Sequence, residues 1–104
     1  APVRHLPICF CIFSFFATIR ISLVGYYHFH EENGMMELDD FYILDSYRNQ
    51  GIGSIVLKKC IDESNLPIFL YVFIKNEKAI QLYKKFGFEI IENVKETRYI
   101  MRKD

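Results

Sequence analysis

Arg48-Asn49-Gln50-Gly51-Ile52-Gly53-Ser54 decides how this chain is read, because two glycines one residue apart stand between a strand-like segment and a helix-like one. Glycines at such a junction let the backbone turn tightly and gather several N–H groups at one point. A helix N-terminus adds about half a positive charge there. Together these make a candidate phosphate cradle. A helix start that simply needs small residues would carry the same pair. Two better-known phosphate motifs are excluded on inspection. A dinucleotide fingerprint needs a third glycine where Val56 stands, and a P-loop needs a Gly-Lys-Ser/Thr ending that the stretch lacks.

Upstream, Ile12 to Ile19 and Ser22 to His30 are rich in β-branched and aromatic residues, which predicts two strands with a break near Arg20. Asn33-Gly34 then supplies the positive φ angles of a tight hairpin leading into a strand over Met36 to Leu44. Downstream, Asp45 or Ser46 offers an N-cap, and Ile52, Ile55, Val56, Cys60 and Ile61 recur at helical spacing, for a helix of about four turns. Asn65-Leu66-Pro67 ends it. Ile68 to Ile74 is a continuous apolar run that suits a central strand buried on both faces. Asn76 caps a second helix whose stripe Ala79, Ile80, Leu82, Tyr83 and Phe86 stops at Gly87. Phe88 to Ile91 and Thr97 to Met101 close the chain as two strands joined by the charged turn Glu92 to Glu96. The order is βββαβαββ, an α+β or mixed α/β fold.

At 104 residues the chain predicts one domain over positions 1–104. Thirteen Lys+Arg balance thirteen Asp+Glu, which argues against the broad basic surface of a nucleic-acid binder. Cys9, Cys11 and Cys60 are an odd number, two of them too close for a bridge, so a reduced, cytoplasmic setting without disulfides is expected. The apolar run from Leu6 to Ile19 is too short to span a bilayer. It reads as a buried strand, or as the hydrophobic part of a secretory signal behind Arg4.

Arg48-x-x-Gly51-x-Gly53 follows the strand Leu38-Asp39-Asp40-Phe41-Tyr42-Ile43 and precedes Asn76-x-x-Ala79-x-x-Leu82-Tyr83-x-x-Phe86-Gly87-Phe88. In order and spacing this combination resembles the GNAT superfamily of acyl-CoA-dependent N-acyltransferases over roughly Leu23 to Met101. The resemblance implies a mixed central sheet with a splayed parallel strand pair and flanking helices. It implies acetyl-CoA as co-substrate, with the backbone amides of Arg48, Asn49, Gln50, Gly51, Ile52, Gly53 and Ser54 on its pyrophosphate. A larger residue at Gly53 would obstruct the phosphates. The backbone of Ile43 would pair with the pantetheine arm, and Asn76 would contact it. Tyr83, a core residue by periodicity alone, would protonate the departing thiolate, which a phenol with a pKa of about 10 can do at neutral pH.

The segment Leu38 to Ile43 most resembles the diamine and polyamine acetyltransferase branch, in which the first acid is the base and the second holds a cationic acceptor. That assigns Asp39 as base and Asp40 to a small cationic amine. An alternating strand places Glu37 on the face of Asp39, as a second candidate base. Solvated acids at a strand end would look the same.

His28 and His30 share a strand face, but two histidines without a third ligand predict ordinary strand-edge residues and no metal. Cys60 reads as a buried, inert thiol. Lys58-Lys59 and Lys84-Lys85 read as solvated faces, with one of them available to the 3′-phosphate of CoA. A family member normally begins with a strand and two helices that this chain is expected to lack. An uncovered apolar sheet face then favours a homodimer. A catalytically inactive acyl-CoA-binding module, or a truncated fragment, is the alternative to an active enzyme. Neither a nucleic-acid nor a membrane partner is expected.

Overall fold

The computed structural model describes the backbone of residues 8–15, 19–44 and 47–104, and side chains from residue 25 onward within those ranges except residue 40. Its elements run β1 (Ile8–Phe15), β2 (Ile19–Glu32), β3 (Met35–Ile43), α1 (Ile52–Glu63), β4 (Ile68–Phe73), α2 (Glu77–Lys85), β5 (Glu89–Val94) and β6 (Arg98–Lys103). The expected βββαβαββ order holds. Among the described residues no α-helix precedes α1, and no helix is long and apolar enough to cross a membrane.

The six strands form one mixed sheet in the order β1-β2-β3-β4-β6-β5. Local turn chemistry sets its hairpins. Asn33 (φ 52) and Gly34 (φ 80) make the two-residue turn between β2 and β3, as their sequence demands. The β5–β6 turn uses Lys95 (φ 52) and Glu96 (φ 57), two residues with no intrinsic liking for that region. Asn93 Oδ1 holds it by accepting from the Glu96 N–H at 2.9 Å, and the Thr97 N–H donates to Val94 O at 3.1 Å.

Two strand boundaries differ from expectation for one reason: a charged side chain does not interrupt a ladder built by the backbone. Arg20 lies inside β2 opposite Ser14, so the first strand is Ile8–Phe15 and not Ile12 to Ile19. Glu92 lies inside β5, which shortens the expected turn to residues 95–97. In α1 the cap is Gly51 in the left-handed region with no side-chain cap bond, and the helix is 12 residues long; Asp45 and Ser46 lie outside the described residues. The buried stripe of α1 is Val56, Leu57 and Cys60, while Ile55 is 69% exposed, one helical step away from it.

Both helices contribute to one core. Val56, Leu57 and Cys60 of α1 and Ile80 and Tyr83 of α2 cluster with Tyr27, Leu38, Ile68, Leu70, Val72, Phe88 and Met101. Leu57, Leu70, Phe88 and Met101 are fully buried, each contributing about 1.5–3 kcal/mol of transfer free energy. β4 is central, but it is buried on one face only. Ile68, Leu70 and Val72 alternate with Phe69, Tyr71 and Phe73, the last 65% exposed, because both helices pack on the same side. The apolar run of β4 therefore reflects a core face plus an open face that is also aromatic.

Candidate active site

The site begins where two parallel strands part. β3 and β4 pair only at Met36↔Ile68 and Glu37↔Phe69 and then diverge, β3 staying with β2 and β4 with β6. This is the splayed pair expected from the resemblance. A cavity of about 550 Å³ opens over the wedge, walled by Phe41 to Ile43 of β3, by residues of the 47–54 loop, and by Asn76, Lys78, Ala79 and Leu82 of α2.

The loop geometry follows from its sequence. Asn49 (φ 61) and Gly51 (φ 76) are left-handed, on either side of Gln50, an alternation that turns successive N–H groups to one side. Asn and Gly are the residues that reach this region at least cost. The first bond of α1 runs from the Ile55 N–H to Gly51 O, so the amides of Ile52, Gly53 and Ser54 precede the intrahelical ladder. No acid stands in that first turn to neutralise them. A Cβ on Gly53 would meet Leu82 Cδ2 at 3.6 Å and Phe41 Cζ at 3.9 Å. Alanine would therefore fit at ordinary contact distance, and only a branched or longer side chain would fill the cavity.

Two cations tie the loop down. Arg48 Nε donates to Ile43 O at 2.9 Å, and its guanidinium lies 5.0 Å from the centre of the Tyr42 ring, clamping the loop to the end of β3. Lys78 Nζ donates to Asn49 Oδ1 at 3.1 Å. Lys58 pairs with Asp62 at 2.6 Å, and Lys78 is the lysine that lines the cavity. Its signal in the sequence was a base in the first turn of a helix, where the macrodipole disfavours it.

α2 positions the remaining groups. Asn76 caps it, with Oδ1 accepting from the Ala79 N–H at 3.3 Å. At the other end Gly87 (φ 94) closes a Schellman turn: the Phe88 N–H donates to Tyr83 O at 3.0 Å, and the Gly87 N–H to Lys84 O at 3.0 Å. The accompanying contact sets the Tyr83 and Phe88 rings 5.7 Å apart. Tyr83 is thus fixed by a helix stop that the sequence announces as Phe86-Gly87-Phe88. The side chain is 8% exposed, and burial pushes its phenol up to about 12.

A second cleft, about 330 Å³, shares Phe41, Asn76 and Ala79 with the first and adds Asp39, Tyr71, Tyr83 and Arg98. The structure therefore brings Tyr83, Asp39 and Asn76 together. Glu37 is set apart, one strand repeat away against His30, whose Nε2 is 3.4 Å from its Oε1. Burial, then the neighbouring Asp39, raise the Glu37 carboxyl, while His30 lowers it. Asp40 falls in a bulge, since Asp40 and Phe41 together oppose Tyr27, and its side chain lies outside the described residues. That bulge returns Phe41 to the core face.

His28 and His30 share a face, but they are not edge residues. β2 lies between β1 and β3, His28 is buried and the His30 side chain is 9% exposed, and their rings sit 4.4 Å apart. Among the described residues no group of three or more His, Cys, Asp or Glu is placed to hold a metal ion. Cys60 is a free thiol, pushed up to about 11 by burial. The side chains of Cys9 and Cys11 lie outside the described residues.

Comparison with known proteins agrees with this geometry. The sequence pattern of the Acetyltransferase (GNAT) family matches residues 6–88. The chain is 46% identical over 57 residues to N-alpha-acetyltransferase 50 of Danio rerio, covering 50% of this chain and 34% of that protein. It is 35% identical over 79 residues to spermine/spermidine N(1)-acetyltransferase of Bacillus subtilis, covering 68% and 52%. Its fold matches Arabidopsis thaliana Naa50 in complex with the bisubstrate analogue CoA-Ac-MVNAL at a TM-score of 0.64 and 33% identity, over 79% of this chain and 66% of that one. The chain spans about a third to a half of the length of these two curated relatives. On the family match, the splayed strands and the loop that closes them, this chain belongs to the acetyltransferase (GNAT) family.

Proposed function

We propose that this chain carries the acetyl-CoA site and the catalytic groups of an N-acetyltransferase, moving an acetyl group to a primary amine by direct attack in a ternary complex. The observation that carries the reading is the wedge between β3 and β4. One end holds the acid-free N-terminus of α1, and the other holds Tyr83 and Asp39 in one cleft.

In this reading the amides of residues 48–54 bind the diphosphate, the backbone of Ile43 pairs with the pantetheine arm and Asn76 contacts it. Tyr83, held protonated by burial through the neutral range, supplies the proton taken by the departing thiolate. Asp39 receives the proton of the acceptor ammonium, Glu37 is the second base candidate, and Asp40 holds a cationic acceptor. Residues 1–104 act as one acyltransferase-like unit, cytoplasmic and paired with a second copy.

A small cationic amine is the preferred acceptor. The acids of Leu38 to Ile43 support it, as does similarity to a relative named for spermine and spermidine. A peptide N-terminus is the second reading, supported by the relative named for N-alpha acetylation.

Release of free thiol from acetyl-CoA, measured with polyamines, simple diamines and short peptides, tests the reading. Stimulation by one class selects the acceptor. Tight acetyl-CoA binding by calorimetry with no stimulated release would instead identify a binding module, and no binding by a folded chain would contradict both.

A further inference from the structure

We infer that Arg98 anchors a carboxylate of the acceptor, so that the amine acetylated here is the side-chain amine of a diamino acid. The inference rests on the proposed acetyl transfer and narrows its preferred acceptor, a small cationic amine. Arg98 opens β6, is half-buried, and lines the second cleft together with Asp39 and Tyr83. Its guanidinium lies 4.8 Å from the centre of the Tyr71 ring, and among the described residues it makes no hydrogen bond or ion pair. Arg102, on the same face of β6, is by contrast taken up by Asp104 at 2.7 Å. An aromatic face attracts the charge of a cation but accepts no conventional hydrogen bond, so the N–H donors of Arg98 stay available. A guanidinium held by a ring, with its fork free, suits a carboxylate bound through two parallel bonds.

The sheet sets the spacing between this cation and the acid. Across the cleft the strands run β3, β4, β6, with Asp39 on the first, Tyr71 and Phe73 on the second and Arg98 on the third, opposite Phe73. Two strand spacings are about 10 Å, and β3 is already parting from β4 beyond Glu37. An α-amine is bonded too near its own carboxylate to reach Asp39 while that carboxylate sits on Arg98. An amine at the far end of a side chain can reach, with its methylenes laid on the exposed rings of Tyr71 and Phe73. A diamine or polyamine without a carboxylate instead brings its second positive charge to a guanidinium that is never neutral, and leaves the fork empty. The anchoring leaves the transfer itself as proposed. The N–C bond forms, the thioester C–S bond breaks, and of the two protons the ammonium loses, one ends on the thiol and the other in solvent.

Two measurements test this on the full chain. The first compares thiol release from acetyl-CoA with lysine and with cadaverine, the same carbon chain with and without the carboxylate. Lysine is expected to show a kcat/KM at least about tenfold above cadaverine, expressed mainly in KM, with the acetyl group on its side-chain nitrogen. Arg98→Gln is expected to bring that ratio close to one, and Arg98→Lys, which keeps the charge and loses the fork, to leave it in between. Cadaverine equal to lysine in the parent, acetylation of the α-nitrogen, or a ratio untouched by Arg98→Gln would each overturn the anchor. The second measurement needs no turnover. Calorimetry of lysine binding to the chain saturated with CoA is expected to show affinity at least about tenfold weaker in Arg98→Gln. Equal affinity in the two, or no binding by the parent, would overturn it. Should neither amine stimulate thiol release, the proposed transfer fails, and the calorimetry still decides the carboxylate subsite.

Discussion

The two sides of the sheet at β4 are built from different materials. On the helix side the wedge is a main-chain device: left-handed Asn49 and Gly51, three amides ahead of the first bond of α1, and helix α2 stopped at Gly87. On the other side, side chains are brought together across strands, with His28, His30, Glu37 and Asp39 beside Tyr71 and Phe73. A main-chain device is written in residues close together in sequence, whereas a cross-strand cluster depends on register. The first tolerates side-chain change and fails when backbone freedom is lost; the second behaves in the opposite way.

The largest expected departure lies where the two sides meet. Tyr83→Phe keeps the ring against Phe88 and removes only the hydroxyl that would donate the proton, so turnover should fall about 100-fold or more while acetyl-CoA affinity holds, as steady-state rates and calorimetry would report. A comparable loss of affinity would mean that Tyr83 belongs to the binding side. The same phenol gives a pH test. Its folded pKa, about 12, is raised above the ordinary 10, so its contribution to stability is complete below pH 10 and is lost as pH rises towards 12. Absorbance at 295 nm should show one tyrosine ionising last, together with alkaline unfolding.

Gly53→Val should weaken acetyl-CoA binding about tenfold, or roughly 1.4 kcal/mol, by filling the space beside Leu82 and Phe41, with Gly53→Ala much closer to the parent. Equal effects of the two would place the demand on the backbone. Smallest, Gly87→Ala puts a Cβ on a residue at φ 94 and 3.3 Å from Lys103 Nζ. It should cost about 1 kcal/mol of stability, read as a lower melting temperature.

Most of the helix side was legible in the sequence. Asn33-Gly34, Asn76 and Gly87 each announce a turn or a cap through their own conformational preferences, and Gly51-x-Gly53 announces the mouth of α1. The other side was less so. Nothing local shows that Ile68 to Phe73 has an open aromatic face, because core and exposed positions are both apolar. The bulge at Asp40-Phe41, which decides which acid faces which strand, is a property of the β2–β3 pairing. Arg20 and Glu92 look like breaks and lie within strands, and Lys95-Glu96 takes a turn that glycine usually marks, held by Asn93.

A crystal structure of the chain with acetyl-CoA tests the central claim most directly. The account predicts the diphosphate against the amides of residues 51–54 and the thioester in the wedge between β3 and β4, next to Tyr83. Density for the co-substrate anywhere else, with the mouth of α1 left vacant, would contradict it.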